Sequence, residues 1–287
     1  MSEISVVGLG KMGSALVSTL LKSGRSVTVW NRSAGRADAL VAEGAVLAPS
    51  LKDAIAASEV ILVCVKNHET ATEMLATEAE GLSGKTVIDL STGGAEEAEA
   101  LVEFLTGAGA TWQIGMINAY PSGIGKDETS ILCAGPEEVW AATEGFIKTM
   151  GGASAHVGTT AAAIPALFAA MFTARQGFMF GLIYGGAVCK KAGLPVQAFA
   201  DQVPVTLGMA GRYGELFGET VPDGKYDDSE ATMRVYLNAL EDVLSTFEGT
   251  STADAFPRLM RDLTKQAVDQ GLGDKELTAL VEVLAKA

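Results

Sequence analysis

The chain has 287 residues, 48% of them apolar and 20% charged, which is long enough for two ordinary domains and too apolar for a disordered chain. Its formal net charge of −14 argues against a nucleic-acid partner, because that affinity is carried by Lys and Arg. Three scattered cysteines, Cys64, Cys133 and Cys189, and only two histidines, His68 and His156, form neither a disulfide framework nor a metal-ligand spacing.

The N-terminus opens directly on a strand pattern, ISVVG, with no basic, apolar and cleavable leader, so a cytoplasmic protein is expected. Helical and β-branched runs then alternate: a helix over 11–23, a strand at SVTVWN, a helix over 35–43, a strand at VILVCV, a helix over 70–79 and a strand at TVIDLS. That rhythm is βαβα, and runs as continuously apolar as VILVCV suit strands covered on both faces of a parallel sheet. Further strands are expected at TWQIG, SILCAG and SAHVG. From about Thr160 the strand signals stop, and helical patterns punctuated by AGLP, GETVPDGKYDD, EGTSTADAFP and QGLGD run to the end. The predicted fold is an α/β N-terminal Rossmann domain with a parallel sheet, residues 1–159, followed by an all-α domain, residues 160–287. A long interdomain helix joins the two.

That helix covers the one stretch resembling a membrane span. Residues 161–188 are nearly all apolar, but Pro165, Arg175, Gln176 and four glycines interrupt them and Lys190 and Lys191 follow. A core helix buried all round, either within the chain or between subunits, is the better reading, and no membrane partner is expected.

The string Gly8-Leu9-Gly10-Lys11-Met12-Gly13 follows the first strand and opens the first helix. In that position Gly8 makes the tight turn, Gly10 admits a pyrophosphate to the backbone, and Gly13 lets helix and strand approach, with the helix N-terminus receiving the phosphate. The second strand ends on Asn31, Arg32 and Ser33, where an NAD-binding protein usually has an acidic residue for the ribose 2′-hydroxyl. A neutral side chain followed by a guanidinium suits the 2′-phosphate of NADPH, with Ser33 as a donor and Arg36 as a second cation. The strand ends Val65-Lys66-Asn67 and Leu90-Ser91-Thr92-Gly93 should reach the same crevice, although both also read as ordinary turn chemistry.

Taken together, GLGKMG, NRS, LSTGG, the apolar helix with Gly177, Gly181 and Ala187, and the closing QGLGDKELTALVEV resemble the imine reductases and reductive aminases, a branch of the β-hydroxyacid dehydrogenase superfamily. The resemblance covers nearly the whole chain. It implies a homodimer with exchanged helical domains, an active site between one subunit's nicotinamide and the other's helices, and hydride transfer from NADPH to a small-molecule imine. Carried over by position, Gly8, Leu9, Gly10, Met12 and Gly13 would hold the pyrophosphate, and Val65, Lys66, Ser91 and Thr92 would flank the ribose and nicotinamide. Asn118 and Tyr120, in IGMINAYPSGIG, would face the reacting carbon with Thr92, where reductive aminases often carry an asparagine.

One departure from the family pattern bears on mechanism. The dehydrogenases place a catalytic lysine early in the interdomain helix and imine reductases usually place Asp or Tyr there, whereas a gap-free match puts Phe168 at that position. Without a lysine, a β-hydroxyacid or semialdehyde reductase is the weaker reading; an NADPH-binding protein with little turnover is a third. A protonated iminium needs no side-chain acid and is tolerated by an aromatic wall. Phe168 is therefore read either as a substrate-facing residue or as a plain core aromatic, with Tyr120 as the next candidate donor.

Overall fold

A computed structural model describes residues 1–286. Two compact units divide it, Met1–Phe172 and Thr173–Ala287.

The first unit is built on an eight-stranded sheet: β1 (Ile4–Val7), β2 (Val27–Trp30), β3 (Val46–Leu47), β4 (Val60–Val63), β5 (Thr86–Asp89), β6 (Thr111–Ile117), β7 (Ile131–Ala134) and β8 (Ala155–Gly158), in the order β3-β2-β1-β4-β5-β6-β7-β8. Between them run α1 (Lys11–Lys22), α2 (Asp38–Ala42), α3 (Leu51–Ala56), α4 (His68–Ala76), α5 (Ala95–Gly107) and α6 (Glu137–Met150). Alternation along each strand divides the core between the two faces. Ile4, Val6, Leu62 and Ile88 pack with Leu16 and Leu20 of α1 and Ile147 of α6. Val7, Ile61, Val63 and Val87 pack on the other face with Ile55 of α3, Leu75 of α4 and Leu101 and Leu105 of α5. A fully buried side chain of this size stabilises the fold by about 1.5–3 kcal/mol, so the first unit is held chiefly by this two-sided burial.

The sheet is parallel from β3 through β6, but β7 runs antiparallel to β6. No crossover helix lies between those two strands, only residues 118–130 with a single 3₁₀ turn at Pro121–Gly123, so the chain can only turn back. α6 then supplies a crossover, and β8 returns parallel to β7. The expected helix over 35–43 is a 3₁₀ turn, Ala34–Arg36, followed by the short α2, while β3 and α3 stand where no element was expected.

The long helix is α7 (Ala163–Lys191). Its start belongs to the first unit, where Ile164 is buried and Leu167, Phe168 and Met171 pack on the sheet, so the compact units part at Phe172 rather than at the head of the helix. Burial all round is not what one chain provides: Ile164 is the only buried residue of α7, and Phe180 and Ile183 are 51% and 65% exposed.

The second unit continues with α8 (Val196–Ala200), α9 (Val203–Thr220), α10 (Met233–Gly249), α11 (Ala255–Ala267) and α12 (Val281–Leu284). Its core is small, centred on Tyr226, Met233, Ala267, Ala279 and Val283. Polar ties support it: the Tyr226 hydroxyl donates to Glu282 Oε1 at 2.9 Å, and the Met233 N–H to the Lys275 carbonyl at 2.8 Å.

Candidate active site

The sheet order reverses at β1, between β2 and β4, and ligands of such sheets bind beyond the carboxyl ends of the strands at that point. A cleft of ≈ 740 Å³ lies there, lined by the glycine turn, the end of β2, the end of β4 and one face of α4. Its shape depends on two glycines. Gly8 has φ +99°, donates its N–H to the Trp30 carbonyl at 3.0 Å, and would carry a Cβ 2.3 Å from the Cys64 carbonyl oxygen. A Cβ at Gly13 would lie 2.0 Å from the Gly8 carbonyl oxygen, so α1 starts against the β1 end only because neither residue has a side chain. Gly10 differs, since a Cβ there would meet no protein atom within 4 Å. It caps α1 without a side chain, so no capping side chain accepts from the first-turn N–H groups of the helix.

Four cations, Lys11, Arg32, Arg36 and Lys66, line the same cleft in a strongly acidic protein. Among the described residues none of the four is in an ion pair. Unpaired cations beside an uncapped helix start provide what a dinucleotide with three phosphates requires. Asn31 does something composition could not reveal: its Oδ1 accepts the Leu9 N–H at 3.0 Å and its Nδ2 donates to the Ser33 carbonyl at 3.0 Å. It thereby locks the glycine turn to the end of β2. Leu9 itself is buried in the core with its N–H committed to Asn31, and Ser33 is exposed but does not line the cleft.

A second cavity, of ≈ 210 Å³, shares Met12, Cys64 and Val65 with the first and is also walled by His68, Ser91, Thr92, Met116 and Phe168. Phe168 is half-buried and stacks on Phe172, ring centroids 5.4 Å apart. Below this cavity runs a buried chain of hydrogen bonds. The Val65 N–H donates to Ser91 Oγ at 3.1 Å, Ser91 donates both its Oγ–H (2.6 Å) and its N–H (3.1 Å) to Asp89 Oδ1, and Asp89 Oδ2 meets His68 Nδ1 at 2.5 Å. Cys64, between the two cavities, has its thiol pushed up to about 12, first by burial and then by the negative charge of Asp89. It therefore stays a protonated thiol at neutral pH.

Most of the sequence-predicted residues thus converge. Gly8, Gly10, Met12, Gly13, Asn31, Arg32, Arg36, Val65 and Lys66 line the cleft, and Ser91, Thr92 and Phe168 the adjoining cavity. Asn118 and Tyr120 do not join them: both are exposed in the 118–130 loop, Tyr120 at 72%, and neither lines either cavity. Sequence reasoning missed His68 and Asp89, whose signal was position alone, one just beyond β4 and the other ending β5.

Residues 3–158 match the family of NAD-binding domains of 6-phosphogluconate dehydrogenase, and residues 142–286 match the C-terminal domain family of NADPH-dependent reductive aminase-like proteins. The chain belongs to the reductive aminase-like family. An NADPH-dependent reductive aminase of Aspergillus oryzae is 27% identical, covering 98% of this chain and 96% of its own. An imine reductase from a Pseudomonas species superposes with a TM-score of 0.88 at 28% identity, over 99% of each chain. A reductive aminase of Aspergillus terreus, solved with NADPH4, cyclohexanone and allyl amine, gives 0.87 at 27% identity, again over 99% of each. This reductive aminase-like chain is an NADP-dependent oxidoreductase acting on C=N bonds.

Proposed function

We propose that the protein reduces an imine to an amine, with NADPH lying along the cleft and the imine carbon seated in the smaller cavity against Phe168. The observation that carries this reading is the junction of the two cavities at Met12, Cys64 and Val65: an uncapped helix start with unpaired cations on one side, and on the other an apolar wall without lysine. Bound there, NADPH supplies a hydride to the carbon of the C=N bond. The first turn of α1, opened by Gly10 and packed through Gly8 and Gly13, holds the pyrophosphate; Met12 and the Leu9 backbone shape that turn. Arg32 and Arg36 bind the 2′-phosphate, Asn31 and Ser33 fix the loop that carries them, and Val65, Lys66, Ser91 and Thr92 flank the ribose and nicotinamide. Phe168 offers its ring face to the cationic iminium carbon. Asn118 and Tyr120 stand outside both cavities, so the proposed site does without them as proton donors.

The working form is a cytoplasmic homodimer with exchanged helical domains, in which α7 and the apolar faces of the second unit are buried against a second copy. Supporting it are the exposure of Phe180, Ile183, Val205 and Met209 in one chain, and three cysteines that are all free thiols, as a reducing compartment requires. Domain organisation follows the sequence reading, a cofactor domain over 1–159 and a helical substrate and dimerisation domain over 160–287. The A. terreus complex makes condensation of a ketone with an amine in the same site the second reaction to try.

NADPH oxidation measured with a cyclic imine, with a ketone, with a ketone plus an amine, and with no addition decides the matter. Turnover with the imine supports the reading, and turnover with the ketone plus amine extends it. Turnover with the ketone alone favours a carbonyl reductase, and tight NADPH binding without turnover favours a sensor.

A further inference from the structure

We propose that His68 is the catalytic acid that gives the amine nitrogen its proton, held in place by Asp89 as a positioning residue; the inference rests on the imine-reductase reading above. A neutral imine accepts hydride poorly unless its nitrogen is protonated, and no carboxylic acid, phenol or amine lines the cavity beside Phe168. Two titratable side chains do line it, Cys64 and His68. The Cys64 thiol, pushed up to about 12, is too weak an acid to work near neutrality, where a useful donor has its own titration close to the operating pH. Histidine is the side chain made for that range.

The surroundings of His68 are arranged for proton transfer. It is the first residue of α4, buried, and its Nδ1 lies 2.5 Å from Asp89 Oδ2. Asp89 Oδ1 is occupied by the two donors of Ser91, so the carboxylate is an anchored acceptor and Nδ1 is the ring's donor to it. Nε2 is then the nitrogen left to exchange protons, the division of labour that a carboxylate imposes on an active-site imidazole. The ring edge that carries Nε2 runs past Gly93, where a Cβ would lie 2.4 Å from His68 Cδ2 and 2.7 Å from Glu97 Oε2. Glu97 Oε2 is buried without a hydrogen-bond partner. The charged and titratable groups facing the ring are therefore Asp89 at the end of β5, Glu97 on α5 and the neutral Cys64 thiol just beyond β4.

In the reaction, the C=N π pair moves onto nitrogen as hydride reaches the carbon. Nitrogen forms its new bond to the Nε2 proton, and the Nε2–H electron pair stays on the ring. The imine is reduced by two electrons, the cofactor is oxidised by two, and the neutral imidazole left behind is reprotonated from solvent before the next turnover.

The test uses the full-length protein with NADP⁺ and two cyclic imines of different basicity. Because the chain has only two histidines, one His68→Gln variant assigns both imidazole C–H resonances in a proton NMR titration. In the unaltered protein, kcat/KM is expected to fall as pH rises through the midpoint at which the His68 resonance titrates, at the same pH for both imines. His68→Gln should lower kcat by about a hundredfold and abolish that limb, the low end of what general acid catalysis supplies, while its NADPH Kd stays within about twofold. Asp89→Asn should move the limb. A His68→Gln variant that binds NADPH and keeps both rate and limb overturns the proposal. So does a limb that follows the basicity of the imine, or a His68 resonance that does not move across it. These last two observations need no variant, so they decide even if His68→Gln does not fold. An unaltered protein that turns over no imine at all refutes the imine-reductase reading instead.

Discussion

The two units bury their apolar residues in different ways. In the first, Ile4, Val6, Ile61, Leu62, Val87 and Leu105 are wholly inaccessible within one chain, because a sheet covered on both faces needs nothing beyond its own helices. In the second, Phe180, Ile183, Val205, Leu207 and Met209 are all at least half exposed, around a core of a few residues. Apolar residues left this open in one chain support the proposed homodimer. The cofactor cleft is thus lined within one chain, while the proposed homodimer would cover the open residues of the second unit.

The sharpest way to break the self-sufficiency of the first unit is through its glycines. Gly8→Ala combines positive φ with a Cβ 2.3 Å from the Cys64 carbonyl oxygen. It should lower stability by about 1–3 kcal/mol from backbone strain alone and raise the NADPH Kd by at least about a hundredfold. Gly10→Ala meets no protein atom and should leave the melting temperature of the ligand-free protein unchanged, yet raise the NADPH Kd by about tenfold, because the added methyl occupies the phosphate cradle. Thermal melts with and without NADPH separate the two. Equal losses of ligand-free stability in both variants would mean that Gly10 is structural, and the cradle assignment would fall.

The other half of the comparison is tested on α7. Ile183→Asp together with Phe180→Asp places two charges on a face that one chain leaves open, so the monomer should fold and bind NADPH normally. Sedimentation should show dissociation, and imine turnover should fall by about a hundredfold if the partner completes the substrate site. A monomer that retains full activity would sink the shared site and leave the exposed face unexplained.

Arg32→Ala probes the cofactor end alone. A charge-assisted contact to the 2′-phosphate contributes about 1.5–3 kcal/mol, so NADPH use should weaken about tenfold to a hundredfold while NADH use changes little. Equal Michaelis constants for NADPH and NADH in the unaltered protein would remove the assignment of Arg32. The ease with which Arg32 was read, set against the residues that were not, shows what a sequence displays. Gly8, Gly10, Gly13 and Arg32 sit at fixed offsets from the strands they follow, and strands such as VILVCV announce themselves by continuous apolar residues, so local pattern suffices for both. The reversal of β7 was hidden, because hydrophobicity carries no strand direction and only the missing helix over 118–130 hinted at it. The two-residue β3 is exposed and has no core face to pattern. His68 and Asp89 lie 21 positions apart and meet only because β4 and β5 are neighbours in the sheet, a fact of topology rather than of spacing. Tyr120 lies in the exposed 118–130 loop, outside both cavities of one chain.

The smallest expected effect, and the one most sensitive to which group protonates the substrate, is that of Phe168→Tyr. Phe168 stacks on Phe172 and lines the smaller cavity, so the phenol fits the same volume and adds one hydroxyl in a wall that otherwise lacks one of its acidity. With His68 as the donor, the rate of the unaltered enzyme depends on the imidazole keeping its proton. A phenol keeps its proton to about pH 10 and can take over where the imidazole has lost its own. The variant should therefore match the unaltered enzyme at pH 6 and exceed it by a few-fold to about tenfold at pH 9, a partial recovery because the added group has no Asp89 behind it. Initial rates with a weakly basic imine across that range decide the point. A gain of equal size at every pH would mean that the hydroxyl acts by binding the substrate. No gain anywhere, beside a normal gain when the same substitution is made in the His68→Gln background, would show that the imidazole supplies the proton throughout and that Phe168 is purely a wall.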